Sequence, residues 1–590
     1  MGSMSVRLLQ GVGMNNKFSN ISGYDYRESE IGSRKNIHSA LMSWDVSERS
    51  LVTRLIFIIC FMVLCFSAIA VKLVIVALST PDPKKTYARD EYFRREIVDR
   101  NGVLLAINLH SSSLFANPGK MIDLEDAATK ISNTLTGVDK KKLLNELKSS
   151  KSFVWIKRGL TEKEKHEVHS FGIPGLGFEE EPRRVYTYGN LFSHLIGYVG
   201  RDNEGLAGLE QGYNDFLTDK HVNGKSVSEP LRLTVDARIQ SIVHEELLDA
   251  VTKFRAAAGI AVVIDDTNGE IVASVSLPDF NPHNPSKATE AQLFNRYSLG
   301  VEEMGSIMKM FPIAIGLETD KITLNDVYDL TAMRIANFDV KDYHKSVGWH
   351  SVPEIFLNSS NIGMAQIILE IGKHDYRKYI ERLGLMQRLP VDIPERGSPL
   401  IPSFDKWNDL SLATMSYGYA HAITPLHFLS ASLPVVNGGY MYPLHFVKKE
   451  GAIERTKVLS ESTSIEMRKL LRLTATKGTG KKGNVDGYFV GAKTGTAEMR
   501  VGRKYVKNMR KSSFFAVTPA HDPKYVVYIM LDNPQPTKET FGFATAGWTA
   551  APVAKNIISR MMTLYGVPPY KADPEIENSL SLEYAIDDEA

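Results

Sequence analysis

Residues 301–318 read VEEMGSIMKMFPIAIGLE, and the four positions Ser306-Ile307-Met308-Lys309 inside that stretch decide how the rest of the chain is read. On a helix, positions three apart share a face, so the Lys309 amine can reach the Ser306 hydroxyl. A lysine at its ordinary pKa is protonated at neutral pH and is no base. The flanking Met304, Ile307, Met308, Met310 and Phe311 predict dry surroundings that lower it. Alone, S-x-x-K is weak, because a chain of this composition shows about three by chance. A second copy, Ser403-Phe404-Asp405-Lys406, follows Pro402 in a polar stretch with no apolar helix behind it and is read as coincidence.

Two further motifs change the weight of the first. Ser359-Ser360-Asn361 is the only S-x-N and sits in IFLNSSNIGMAQIILEIG, where a polar cluster opens an apolar helix. By itself it reads as a helix cap. Lys493-Thr494-Gly495-Thr496 contains the only K-[ST]-G and ends the strand-like Tyr488–Ala492. An edge strand carrying Lys, hydroxyls and Gly can pair with a substrate backbone while its side chains grip a carboxylate. The second serine lies 53 positions after Ser306, and Lys493 lies 187 after it. A helix thus carries a serine with a desolvated amine, a helix start a second serine with an amide, and a strand a carboxylate clamp, in fixed order.

Around these motifs, residues 231–570 predict one domain. Leu231–Val235 reads as a short strand, and Asp236 caps a helix with Ile239, Ile242, Val243, Leu247 and Leu248 on its apolar face. Strands Gly259–Ile264 and Glu270–Ser276 flank a turn ending Asn268-Gly269. Two late strands, Phe514–Val517 and Tyr525–Leu531, precede a last helix, Ala551–Tyr565. Strands at both ends with helices between predict an α/β or α+β fold, a sheet covered by helices. Residues 79–230 are mixed and loop-rich, with a helical stretch over 123–149 and a basic linker at Pro81–Lys85. Residues 571–590 hold seven acids and one lysine and read as a solvated tail.

The run from Leu55 to Leu78 has Lys72 as its only charge and is long enough to span a bilayer. Seven Lys/Arg in residues 1–54 place that end in the cytoplasm and the rest of the chain outside. A lead of 54 residues does not fit a cleaved signal peptide, so the span reads as a retained anchor. The net charge of +2 excludes a dedicated nucleic-acid binder. The two cysteines, Cys60 and Cys65, lie in the span, which excludes a disulfide framework or a cysteine zinc site outside it; H-E-x-x-H is also missing. No metal or other cofactor is expected. Lys477-Gly478-Thr479-Gly480-Lys481 fails as a P-loop, since Ala475 and Lys482 stand at required positions. His344 and His350 read as surface or core histidines, and the basic segment Met499–Lys511 as a solvated hairpin rather than a rim for anionic precursors.

Taken together, the three motifs resemble the signature of penicillin-binding proteins and serine β-lactamases. Arg95–Gly102 with Leu105-Ala106, Arg184, His194–Gly200 and Gly208-Leu209-Glu210 resemble the pedestal motifs of class B penicillin-binding proteins. Thr424-Pro425, Asn437-Gly438-Gly439 and Phe514-Phe515-Ala516 resemble landmarks of their transpeptidase domain. The likeness covers about residues 90–565, leaving no room between span and pedestal for the glycosyltransferase domain of class A relatives. It implies a cytoplasmic tail (1–54), a transmembrane helix (55–78), a pedestal (79–230), a transpeptidase domain (231–570) and an acidic tail (571–590). Thr494 and the short route from Glu210 to Leu231 resemble the septal, cell-division type. Ile307 and Met308 replace the more usual Thr or Val and an aromatic, Met304 stands where Pro or Leu is frequent, and Tyr417–His421 replaces a more glycine-rich run.

The resemblance implies a peptidoglycan DD-transpeptidase of the inner membrane with its catalytic domain in the periplasm. Ser306 would attack the penultimate D-Ala of a stem peptide, and Lys309 would take its proton. Ser359 would relay protons to the leaving amine, and Asn361 would hold Lys309 and the substrate amide. Lys493, Thr494 and Thr496, with Gly495 between them, would bind the terminal carboxylate; the backbone N–H groups of Ser306 and Thr496 would form the oxyanion hole. Implied partners are stem peptides, β-lactam antibiotics, a glycosyltransferase and other membrane proteins of the division machinery. Alternatives are an elongation-type enzyme, an idle penicillin-binding scaffold or β-lactam sensor, and a β-lactamase. The intact motif residues weigh against an idle domain, the short tail against a sensor, and the anchor and pedestal against a β-lactamase.

Overall fold

The computed structural model describes residues 36–78, 94–149, 151–218, 221–222, 225–226, 229–343, 345–501, 504–570 and 574–582. Expectations for residues 1–35, the Pro81–Lys85 linker, His344, Arg503 and most of the acidic tail lie outside these residues, as do the side chains of Arg500, Lys504 and Lys507. Helix α1 (Asn36–Leu78) begins well before the apolar run. Its segment Thr53–Val74 is long and apolar enough to cross a membrane, alone in this among the described residues. At 1.5 Å per residue it spans about 33 Å, against about 30 Å of hydrocarbon core.

Residues 90–590 form a separate unit. Its first part is built on strands β1 (Ile97–Val98), β2 (Leu104–Ala116), β3 (Val154–Leu160) and β4 (Leu176–Tyr186). β2 pairs antiparallel with each of the other three, while β1 also pairs in parallel with β5 (Leu231–Arg232), which follows the segment in sequence. The stretch expected to be helical over 123–149 is two helices, α2 (Leu124–Thr134) and α3 (Lys140–Leu147). Between them Gly137 turns through φ +85°, and Asp139 caps the restart by accepting from Lys142 N. Ile131, Leu143 and Leu147 pack with Leu114 and Leu160 into a small core.

Charge pairs fix this part. Glu210 is buried between Arg94 and Arg184, with Arg184 Nε 2.7 Å from Glu210 Oε1. Asp99 Oδ1 accepts from Asn101 N and Val103 N, both at 2.8 Å, and Oδ2 from Ala237 N at 3.0 Å. Arg100 reaches Glu270 at 2.6 Å. The motif at 95–102 is therefore a joint between the two parts of the unit.

The second part carries helix α4 (Ala237–Lys253), capped by Asp236, and a five-stranded sheet. In spatial order the strands are β8 (Gly491–Val501), β9 (Lys504–Thr518), β10 (Tyr525–Asp532), β6 (Ala258–Asp265) and β7 (Glu270–Leu277), every pair antiparallel. Side chains alternate between faces with period two. Ala261, Val263, Phe514, Val527 and Ile529 pack with α4 and α8 (Ala550–Leu564), while Ile260, Val262, Phe515 and Tyr528 face the larger core of the helical region. Both faces are apolar because both are covered, which is why β6, β7, β10 and the Phe514–Val517 end of β9 read as continuous apolar runs.

Three expectations need correction. The strand at Leu231–Val235 is only Leu231–Arg232, because Thr234 and Asp236 hydrogen-bond Phe446 and Val272 in the joint. Leu248 is 44% exposed rather than core. The strand bearing Lys493 starts at Gly491 and continues beyond the motif instead of ending on it; Phe489, at φ +44°, keeps Tyr488–Val490 out of it. Segment 499–511 is a hairpin, as expected, in which Met499–Val501 pair with Lys504–Val506.

Candidate active site

Ser306 sits in a short 3-10 turn, Gly305–Lys309, that runs into the apolar helix α5 (Met310–Glu318). The turn packs on edge strand β8, and two glycines make room for it. A Cβ at Gly305, where φ is +62°, would lie 2.8 Å from Ala497 Cβ; one at Gly495 would lie 2.6 Å from Ile307 Cγ2 and 2.4 Å from Ser513 Oγ. Gly495 is thus what lets the serine turn approach the strand.

Ser359 ends helix α6 (Val352–Asn358) in the left-handed region at φ +55°, ψ +45°. Ser360 then caps helix α7 (Asn361–Ile371) by accepting from Gly363 N at 3.0 Å. The cap expected of this motif is therefore Ser360, which leaves Ser359 free to turn its hydroxyl inward. Asp342 holds the junction: Ser360 Oγ donates to it at 2.6 Å and Ile362 N at 3.1 Å, and Asn361 N also donates to it.

Two fully buried lysines converge on Ser359. Lys309 Nζ and Lys493 Nζ each lie 3.1 Å from Ser359 Oγ, and Lys309 Nζ also donates to the Ser359 carbonyl. Burial, then the neighbouring Lys493, holds Lys309 well below its ordinary value, with Asp342 opposing. Burial alone lowers Lys493 to about 7. Two ammonium groups on one buried hydroxyl are costly, which disfavours the charged form of Lys309 beside Lys493.

The structure therefore brings Ser306, Lys309, Ser359 and Lys493 to one place, but not every expected contact is made. Lys309 bonds Ser359 rather than Ser306, and among the described residues nothing hydrogen-bonds Ser306 Oγ. Asn361 Nδ2 donates to the Lys341 carbonyl at 2.8 Å, not to Lys309. Asn361 instead lines an open cleft of about 390 Å³ with Asn337, Phe338, Asp339, Lys341 and Tyr417. Thr494 Oγ1 pairs with Thr479 Oγ1 at 2.6 Å, and Thr496 Oγ1 accepts from Ala546 N at 3.5 Å. The second S-x-x-K lies on a separate short turn, Phe404–Lys406. Asp342 and Thr479 belong to none of the three motifs yet touch residues that do. Thr479 lies in the Gly-rich segment that failed as a P-loop, whereas nothing around Asp342 marks it. Among the described residues no group of His, Cys, Asp and Glu could hold a metal ion.

Residues 259–559 match the penicillin binding protein transpeptidase domain, and residues 92–227 the penicillin-binding protein dimerisation domain. The chain is 35% identical over 486 residues to a "Probable peptidoglycan D,D-transpeptidase FtsI" of Caulobacter vibrioides, covering 80% of this chain and 82% of that protein. It is 33% identical over 502 residues to a "Probable peptidoglycan D,D-transpeptidase PenA" of Neisseria gonorrhoeae, covering 81% and 85%. The crystal structure of a peptidoglycan synthetase from Bifidobacterium adolescentis shares the fold, with a TM-score of 0.64 at 23% identity over 82% of this chain and 97% of that one. With an apolar helix ahead of a dimerisation domain and a transpeptidase domain, the chain belongs to the class B penicillin-binding proteins and is a peptidoglycan D,D-transpeptidase.

Proposed function

We propose that Ser306 is the nucleophile and that the protein crosslinks stem peptides in septal wall synthesis. The observation that carries the chemistry is the Ser359 hydroxyl shared by two buried lysines beside a serine turn pressed onto β8. Lys309 takes the Ser306 proton as Oγ attacks the penultimate D-Ala carbonyl. The C–N bond then breaks, the terminal D-Ala leaves as the amine with a proton relayed through Ser359, and Ser306 carries the acyl group. An acceptor amine from a neighbouring strand attacks this ester, restores Ser306 and makes the crosslink. Ser306 N–H, at the start of a turn where backbone donors lack helical partners, and Thr496 N–H, on the edge strand, form the oxyanion hole, each worth about 3–4 kcal/mol. Lys493, Thr494 and Thr496 hold the terminal carboxylate, while Asn361 meets the substrate amide from the cleft wall. A β-lactam mimics the D-Ala-D-Ala end and stays on Ser306.

The septal assignment is supported by Thr494 after the motif lysine and by the short route from Glu210 to Leu231. The anchor is proposed to lie in the inner membrane with residues 1–54 in the cytoplasm, on the strength of their seven Lys/Arg. A separate glycosyltransferase of the division machinery would supply the strands to be joined. Fluorescent penicillin tests the chemistry: a stable adduct, lost in Ser306→Ala, is expected. Rapid turnover of the label would point to a β-lactamase, and no label to an idle scaffold. Depletion in cells tests the septal role, with filaments expected and rounded cells counting against it.

A further inference from the structure

Three residues before Ser306, the dipeptide Glu302-Glu303 forms a two-residue strand against Ala422–Ile423. The two carboxylates reach the same neighbouring strand at separate points. Glu302 pairs with Lys511 on β9. Glu303 accepts from the Tyr505 hydroxyl on the outer end of β9, at 2.9 and 3.1 Å. Glu303 Oε1 also accepts from Ala420 N at 2.8 Å. Ala420 is held at φ +58°, a conformation an alanine seldom adopts without a partner that fixes it.

The loop that Glu303 grips at Ala420 is the one that touches the nucleophile turn. Gly305 N donates to Gly418 O at 3.2 Å, and a Cβ on Gly418 would lie 2.1 Å from Gly305 O. Next to it, the Tyr419 hydroxyl accepts from Glu498 N on β8 at 3.1 Å, and its ring meets that of Tyr505 at 5.5 Å. One carboxylate therefore joins the segment leading to Ser306, the loop against Gly305 and the strand paired with the Lys493 strand. We propose that Glu303 is a positioning residue for acyl transfer, a strap that fixes the Ser306 turn against loop 417–420 and the β8–β9 hairpin. It touches neither substrate nor reacting atoms. Its effect is on where Ser306 stands relative to Lys309 and Thr496, and misplacement by about 1 Å can cost about 10²-fold in rate.

This inference rests on Ser306 being the nucleophile, and the test separates the two. Stopped-flow acylation by a fluorescent penicillin is measured on the purified full chain, wild type and Ser306→Ala first. An unlabelled wild type, or label persisting in Ser306→Ala, overturns the nucleophile and the strap with it, whereas a wild type labelled at Ser306 with an unaffected Glu303→Ala overturns the strap alone. With that established, Glu303→Ala is expected to lower the acylation rate constant about 10- to 100-fold with little change in the dissociation constant of the preceding complex. Tyr505→Phe, a half-exposed site that removes one hydroxyl, is expected to lose a few-fold, and nothing further in the Glu303→Ala background. Glu303→Gln, which can still accept, is expected to recover part of the rate. A rate constant within twofold of wild type in Glu303→Ala overturns the strap, as does a loss confined to the fraction of protein labelled. Should Glu303→Ala not fold, Tyr505→Phe and Glu303→Gln decide: both at wild-type rate overturn it.

Discussion

Lys309 and Lys493 are both fully buried and share the hydroxyl of Ser359, and the cost of burying a charged amine there sets the pH behaviour. Lys493 titrates at about 7 in the free enzyme and is needed charged to hold a carboxylate. The second-order rate constant for acylation is therefore expected to fall as pH rises above about 7. A bound carboxylate favours the charged lysine, so the first-order step at saturation should keep its rate to higher pH. Stopped-flow acylation across pH 5–10 checks both limbs, and coincident limbs would contradict the assignment. Linkage follows with a definite sign. The folded value lies below the ordinary 10.5, so the unfolded chain binds more protons between the two, and this lysine's contribution makes stability rise with pH over that window. Ser359 itself stands at φ +55°, where an L-residue costs about 1–2 kcal/mol and glycine almost nothing. Ser359→Gly is expected to be about 1 kcal/mol more stable than Ser359→Ala, with both acylating about 10²-fold slower than wild type. Denaturant midpoints read the first and penicillin kinetics the second.

Among the elements, β8 and the serine turn are in register only because Gly495 lacks a side chain. Gly495→Ala puts a methyl 2.6 Å from Ile307 Cγ2 and 2.4 Å from Ser513 Oγ, and the strand, paired along its length with β9, yields less than the turn. The expected outcome is a folded protein that unfolds cooperatively but acylates about 10²-fold more slowly. An unchanged rate would show that the turn relaxes without moving Ser306. This is also the level at which the sequence was most and least legible. β6, β7, β10 and the Phe514–Val517 end of β9 could be read because helices cover both faces and make them continuous apolar runs. β8 was misplaced because its motif is polar while the preceding Tyr488–Val490, apolar yet outside the strand, imitates one. The site lysines and serines were legible as motifs, but their partners were not. Ser359 lies nearer in hydrogen-bonding terms to Lys309 than Ser306 does, and Asp342 and Thr479 act from loops whose positions depend on tertiary packing.

At the scale of the whole 90–590 unit, stability and chemistry are held by separate groups. Glu210 sits between two buried arginines, far in sequence from Ser306, Lys309, Ser359 and Lys493. Glu210→Ala leaves both guanidinium groups uncompensated and is expected to cost about 3–5 kcal/mol. The molecules that remain folded should acylate at the wild-type rate, so calorimetry and stopped-flow labelling should part company; a parallel loss of rate would tie the pedestal to catalysis.

The pairing of β1 with β5 has its own consequence. Ile97 stands beside Leu231 and Val98 beside Arg232, the chain running the same way on entry and on return. Seen from the enzyme, everything between is a detour that comes back to its starting post. Such a detour can lengthen or shorten over generations while the catalytic sheet keeps its address, much as a cable can be swapped between a fixed plug and a fixed socket.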